Sequence, residues 1–173
     1  MTDPRYPIGK FSHSGPLSPE QKKHCLDDIE QAPKRLREAV RGLSDAQLDT
    51  PYRDGGWSVR QVVHHVPDSH ANAYVRFKLA LTEDDPTIKP YMEDRWAELV
   101  DSRQPIENSL AMLESLHRRW MIVLRSLNDA DWKRTFQHPE LGSVTLEKNL
   151  ALYAWHGRHH VAHVTSLRER MGW

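Results

Sequence analysis

The chain has 173 residues, the length of a single domain, and its 24 Lys and Arg are balanced by 24 Asp and Glu. A formal charge of zero excludes the global basic field that draws a protein to nucleic acid or anionic lipid, so neither is expected as a partner. Uncharged apolar runs as short as Met121–Leu124 exclude a membrane-spanning helix, which needs roughly 18 such residues.

Residues 1–17 hold three prolines and two glycines without an apolar period, which predicts an extended arm lying on a domain of residues 18–173. The arm lacks the apolar core of a secretory signal, and the single Cys25 suits a reducing compartment, so a cytoplasmic location is expected. Ser18-Pro19-Glu20-Gln21 reads as an N-cap, a proline at the first helical position and a capping-box glutamine. Apolar residues from Cys25 to Leu43 then recur at helical spacing as far as Gly42, with a kink expected at Pro33.

Ser58-Val59-Arg60-Gln61 is a second capping box, opening a helix to about Leu81 that should bend at Pro67. Asp84-Asp85-Pro86 ends it, and a short helix is expected around Glu93–Val100. A third long helix spans about Glu107–Leu127, with Leu110, Leu113, Trp120 and Leu124 on its apolar face. After a turn at Pro139–Gly142, Thr145 caps a fourth helix running to about Met171. No convincing alternating strand intervenes, so the fold class is all-α, a four-helix bundle with short connecting helices. A weak echo joins Leu43-Ser44-Asp45-Ala46-Gln47-Leu48 to Leu127-Asn128-Asp129-Ala130-Asp131-Trp132, each preceding a histidine-bearing helix.

The composition is unusual in its 11 histidines, of which His64, His65 and His70 form one tract and His156, His159, His160 and His163 another. Imidazoles four residues apart on a helix project from one face and can share an ion. On a helical wheel, Leu146, Leu150, Tyr153, Gly157, Val161 and Val164 define the inward side of the last helix. His160 falls near its centre with His156 beside it, whereas His159 and His163 point further toward solvent. On the second long helix His65 lies on the flank of the core face and is the better third ligand, His64 lies outside, and the more central His70 is held in reserve as a hydrogen-bonded core residue. Ser69, Asn72 and Arg76 share the His65 side and could line a pocket or support the ligands. Gly157, between the inner pair, permits a close approach by a helix or a ligand. No Cys-x-x-Cys or His-Glu-x-x-His pattern is present, which excludes a structural finger and the common zinc proteases.

Four stretches carry a family likeness: Tyr6-Pro7-Ile8-Gly9, Pro51 through His65 (PYRDGGWSVRQVVHH), Trp155 through His163 (WHGRHHVAH), and the terminal Arg170-Met171-Gly172-Trp173. Together they resemble the YfiT-like metal-dependent hydrolases of the DinB superfamily over essentially the whole chain. The resemblance implies a four-helix bundle, a cytoplasmic homodimer and one divalent metal per chain, zinc or alternatively nickel. It assigns the ligands as His65, His156 and His160. Related members are bacillithiol S-transferases, in which the metal presents a thiolate to an electrophile.

Three neutral imidazoles leave a divalent ion with an open position, as catalytic sites require. Water held there becomes a nucleophile for hydrolysis of a small-molecule substrate, the reading expected here. A low-molecular-weight thiol held there becomes a thiolate for transfer, with Arg53, Arg60 or Arg76 recognising its carboxylates. No carboxylate base is evident on the ligand faces, and a metal-stabilised binding protein is the third reading.

Overall fold

A computed structural model of the chain describes residues 3–173; the first two residues of the expected arm lie outside it. In chain order the elements are α1 (Pro19–Ala39), α2 (Asp45–Leu48), α3 (Val59–Thr82), α4 (Glu93–Trp96), a 3-10 turn (Val100–Arg103), α5 (Glu107–Ser126), α6 (Asp129–Trp132), β1 (Thr135–His138), β2 (Gly142–Thr145) and α7 (Leu146–Met171). The long helices begin where their capping residues say they should. The hydroxyls of Ser18, Ser58 and Thr145 each accept from the backbone N–H three residues on, at 3.1 Å. Gln21 and Gln61 return the bond to the cap N–H at 2.8 and 3.0 Å. Each such cap contributes about 1 kcal/mol.

Helices α1 and α3 each pack against both α5 and α7, which makes a four-helix bundle. Pro33 and Pro67 sit inside unbroken helices. Helix α1 stops at Ala39, three residues before the expected end, and Gly42 completes the turn at φ +76°. The sequence echo corresponds to α2 and α6, each opened by its own capping box at Ser44 and Asn128.

The strand-free expectation is corrected by a small antiparallel hairpin, in which Phe136 pairs with Val144 and both are buried. Two four-residue strands are too short for alternation to register in a sequence. Among the described residues, no helix is long and apolar enough to cross a membrane.

The core falls into two apolar clusters, one at each end of the bundle. Ile29, Ala73, Phe77, Trp120, Leu124 and Leu150 belong to one, and Leu36, Val59, Val63, Leu113, Val164 and Leu167 to the other. On three of the long helices the interval between the two groups holds histidines. His70 on α3, His117 on α5 and His156 with His160 on α7 all fall in that interval, and the first two are 0% and 2% exposed. Opposite them α1 presents Ala32 and Pro33. A Cβ at Gly157 would lie 3.2 Å from the Ala32 Cβ, so the close approach expected there is made by α1.

Candidate metal centre

Helix α3 supplies His65 and α7 supplies His156 and His160, and one ring nitrogen of each lies within 4.8 Å of the others. The Nε2 atoms of His65 and His156 are 3.3 Å apart, closer than two protonated nitrogens would sit. The ring of His65 packs 4.8 Å from that of His160, centroid to centroid, and His156 lies 4.4 Å from His160. One turn of α7 separates the latter pair, so both rings reach the same side of the helix.

Burial keeps this cluster uncharged. It pushes His65 down to about 4 from 6.5, and it holds His156 and His160 well below the ordinary histidine range, with the neighbouring imidazoles adding to the effect. All three lone pairs are therefore available at neutral pH. Three neutral nitrogen donors that converge in this way fit a borderline divalent ion such as zinc or nickel, and they leave a position on the cavity side.

That cavity has a volume of about 540 Å³ and is lined by Tyr52, Arg53, Trp57, Glu93 and Asp94 together with the histidines. A loop delivers the first three. Tyr52 N–H donates to the Trp57 carbonyl and Gly56 N–H to the Arg53 carbonyl, both at 3.0 Å, so the chain folds back on itself just before α3. A Cβ on Gly56 would meet the Arg53 Cγ at 2.7 Å, so a larger residue there would displace the Arg53 side chain. It lays Trp57 over His65 at 4.7 Å and stacks Tyr52 on His163 at 4.0 Å.

Several expectations need correction. His159 and His163 are not turned to solvent: both are buried. Trp155 stacks on His159 at 4.3 Å, and the arm crosses this side of α7, where the Arg5 carbonyl accepts from His163 Nε2 at 3.2 Å and the Gly9 carbonyl from Trp155 Nε1. His64 is also buried, bonded to Ser109 Oγ and to the Gln104 carbonyl beyond the 3-10 turn. A wheel reports how a helix faces its own apolar stripe and nothing about loops that cover its other side. Arg60 is committed elsewhere, donating to Asp49 and Asp45 at 2.6 and 2.8 Å.

The ligand faces themselves carry no carboxylate base, as expected, but α4 brings Glu93 and Asp94 to the cavity from outside them. Glu93 is an exposed residue, and partial desolvation of its carboxyl raises it, with the adjacent Asp94 charge acting the same way. No spacing rule links residues 93 and 94 to residue 65, so only the loop before α4 could have signalled them. Of the expected supporting residues, Ser69 is buried with its Oγ 3.4 Å from His156 Nε2. Asn72 gives its amide to the Asp68 carbonyl of its own helix. Asn72 and Arg76 do not line the cavity; the Arg76 charge acts instead on Tyr153 and His138.

The chain is similar to several known proteins. A protein of Bacillus mycoides (strain KBAB4) named "Putative metal-dependent hydrolase" is 57% identical over 173 residues, the whole of both chains. Its counterpart from Bacillus thuringiensis subsp. konkukian, named in the same way, is equally similar. The solved structure of YfiT from Bacillus subtilis, described as a probable metal-dependent hydrolase with an unusual four-helix bundle topology, superposes with a TM-score of 0.96 at 51% identity over 99% of each chain. TT2238, a four-helix bundle protein, shares the fold at a TM-score of 0.55 and 23% identity, covering 81% of this chain and 94% of its own. With a model of the DinB superfamily also matching residues 28–164, the chain belongs to the DinB superfamily, in its YfiT-like branch.

Proposed function

We propose that the protein is a metal-dependent hydrolase that holds one divalent ion, zinc by preference, on His65, His156 and His160. The observation that carries this reading is the convergence of three neutral imidazole nitrogens within 4.8 Å of one another in the lining of a cavity, with His65 and His160 buried and His156 half-buried. The family's printed names support the reaction class. A bound divalent ion with an open position supplies Lewis acidity and lowers the pKa of water toward about 7.

The chain's own residues do the rest. The three imidazoles hold their lone pairs toward one point and, being uncharged, do not repel a cation. Trp57 covers the outer face of His65 and keeps bulk water from it. Glu93, whose carboxyl partial desolvation and the Asp94 charge make more basic, takes up the proton that hydrolysis releases and returns it to the leaving group. Arg53, whose guanidinium also donates to the Asp54 carbonyl, offers the cavity a cation for an anionic substrate group. The same cation suits the carboxylate of a small thiol, which makes thiol transfer the alternative to test.

Elemental analysis of the purified protein should find close to one zinc per chain, and His160→Ala should lose it while keeping its helical circular dichroism. The zinc protein is then assayed on a panel of esters and amides, and separately on a thiol with monochlorobimane. Turnover of an ester or amide that disappears in Glu93→Gln supports the hydrolase. Turnover only with the thiol replaces it by a transferase, and absence of metal from the wild-type protein overturns both.

A further inference from the structure

Three imidazoles beside the cluster, His70, His117 and His163, have no part in the proposed chemistry. Two of them form a chain. His156 Nδ1 lies 3.1 Å from His70 Nε2, His70 Nδ1 lies 2.8 Å from His117 Nε2, and His117 Nδ1 lies 2.6 Å from the carbonyl oxygen of Ile29 on α1. A carbonyl only accepts, so His117 carries a proton on Nδ1. A neutral ring has one N–H, so His117 Nε2 must accept, and the proton of His70 is on Nδ1. His70 Nε2 then accepts in turn. His156 is left with its proton on Nδ1 and its lone pair on Nε2, the nitrogen that faces His65.

The third imidazole repeats the logic on the other ligand of α7. His163 Nε2 lies 3.2 Å from the Arg5 carbonyl and must donate, so its Nδ1 accepts from His160 Nδ1 at 3.4 Å. The lone pair of His160 is thereby left on Nε2. His70, His117 and His163 are buried and bonded only to carbonyls and to other imidazoles, so a charge on any of them would stand without a counter-charge and the neutral forms are the ones the surroundings favour.

We infer that two backbone carbonyls, Ile29 on α1 and Arg5 in the arm, set the tautomers of His156 and His160 through neutral imidazoles, making His70, His117 and His163 positioning residues for the metal centre. The inference rests on the reading of His156 and His160 as ligands. Its physical content is that free imidazole favours the other tautomer, with the proton on Nε2, where it would block the ligand nitrogen. A partner on the far nitrogen both removes that proton and fixes the ring plane. Here the partner is a relay that crosses the bundle from α7 through α3 and α5 to α1.

The test reads nitrogen-15 shifts of the histidine rings in the metal-free protein at neutral pH, beside zinc affinity measured by competition with a chelator. In the wild-type protein His156 and His160 should be protonated on Nδ1 and His163 on Nε2. His117→Leu, which breaks the first chain, should leave His156 without a single tautomer and weaken zinc binding about 10- to 100-fold, while His160 keeps its tautomer. His117→Gln offers an amide N–H to Ile29 and an oxygen to His70, so it should recover most of both. A wild-type His156 protonated on Nε2 overturns the inference. So does weakened zinc binding in His117→Leu with the His156 tautomer intact, or a folded Gln variant no better than the Leu one. The tautomers are read without metal, so a wild-type protein that takes up no zinc would refute the ligand reading and leave the relay to be judged on the shifts alone.

Discussion

Mild acid should destabilise the metal-free protein before most of its carboxylates titrate. His65 and His117 are 5% and 2% exposed, and burial holds each at about 4, against 6.5 in an unfolded chain. A ring whose folded pKa is depressed stabilises the fold fully above 6.5 and loses that contribution as pH falls toward 4, because the unfolded chain binds the proton first. Lowering the pH from about 7 to about 5 therefore removes about 1.8 kcal/mol per ring, or about 3.6 kcal/mol for two rings that do not touch. Asp68 opposes them. Its carboxyl is raised to about 6 from 3.8 by burial and by the Asp101 charge, so the folded state takes up its proton first. The same change in pH returns at most about 1.3 kcal/mol. Against Asp68 the two histidines win by about 2 kcal/mol; His70, His156 and His160 shift in the same direction, and the raised Glu93 carboxyl opposes them. Urea unfolding of chelator-treated protein should show a midpoint lower by roughly 1 M at the acidic pH. Asp68→Asn removes the compensating group and should widen the gap. An equal or higher midpoint at the acidic pH would refute the argument, since it would mean that the buried rings accept protons as readily as free histidine.

Gly157→Leu should cost about 2 kcal/mol in a chemical melt despite leucine's better helix propensity, because its Cβ alone would meet the Ala32 Cβ at 3.2 Å and the His70 Cε1 at 3.6 Å. Zinc titration of that variant should also show weaker binding, since His70 is the group displaced. Arg60→Met should change stability by about 1 kcal/mol or less and leave zinc binding and turnover unaltered, because the Asp45 and Asp49 side chains it releases are 90% and 61% exposed. Loss of turnover in a folded, zinc-loaded Arg60→Met protein would return that guanidinium to the list of substrate contacts.

How far the sequence could be read depended on whether the controlling interaction was local. Ser18, Ser58 and Thr145 announce helix starts because a cap bonds to residues three positions away, and the helices begin at the next residue in each case. The convergence of His156 and His160 was legible for the same reason, four residues being one turn. His65 required only the further assumption that α3 and α7 face one another. His117 gave no signal: it is a single histidine on the apolar face of α5, and its meaning lies in partners 47 and 88 positions away in the chain. His159 and His163 were misjudged because what buries them is the arm and Trp155, not the bundle core. Glu93 and Asp94 reach the cavity by way of a short helix whose path no periodicity encodes.

The placement of the histidines between two apolar clusters bears on why so many can be buried in so small a bundle. Each buried, unpaired polar ring costs on the order of 1–3 kcal/mol, so a layer of isolated histidines would consume much of a domain's margin. Here the cost of most of the rings is offset by the next ring, His159 Nδ1 being the buried ring nitrogen left without a partner. His117 is satisfied by Ile29 and His70, His70 by His117 and His156, and His163 by Arg5 and His160. Such a network is satisfied in only one axial register of the four helices, since a shift of one turn would set imidazole nitrogens against the Leu and Val side chains of a cluster above or below. The polar layer therefore fixes how the helices align, and the alignment in turn brings α3 and α7 level so that His65 meets His156. The residues that make the site chemically competent are the same ones that make the bundle's register unique, and substitutions at His70 or His117 should disturb both together.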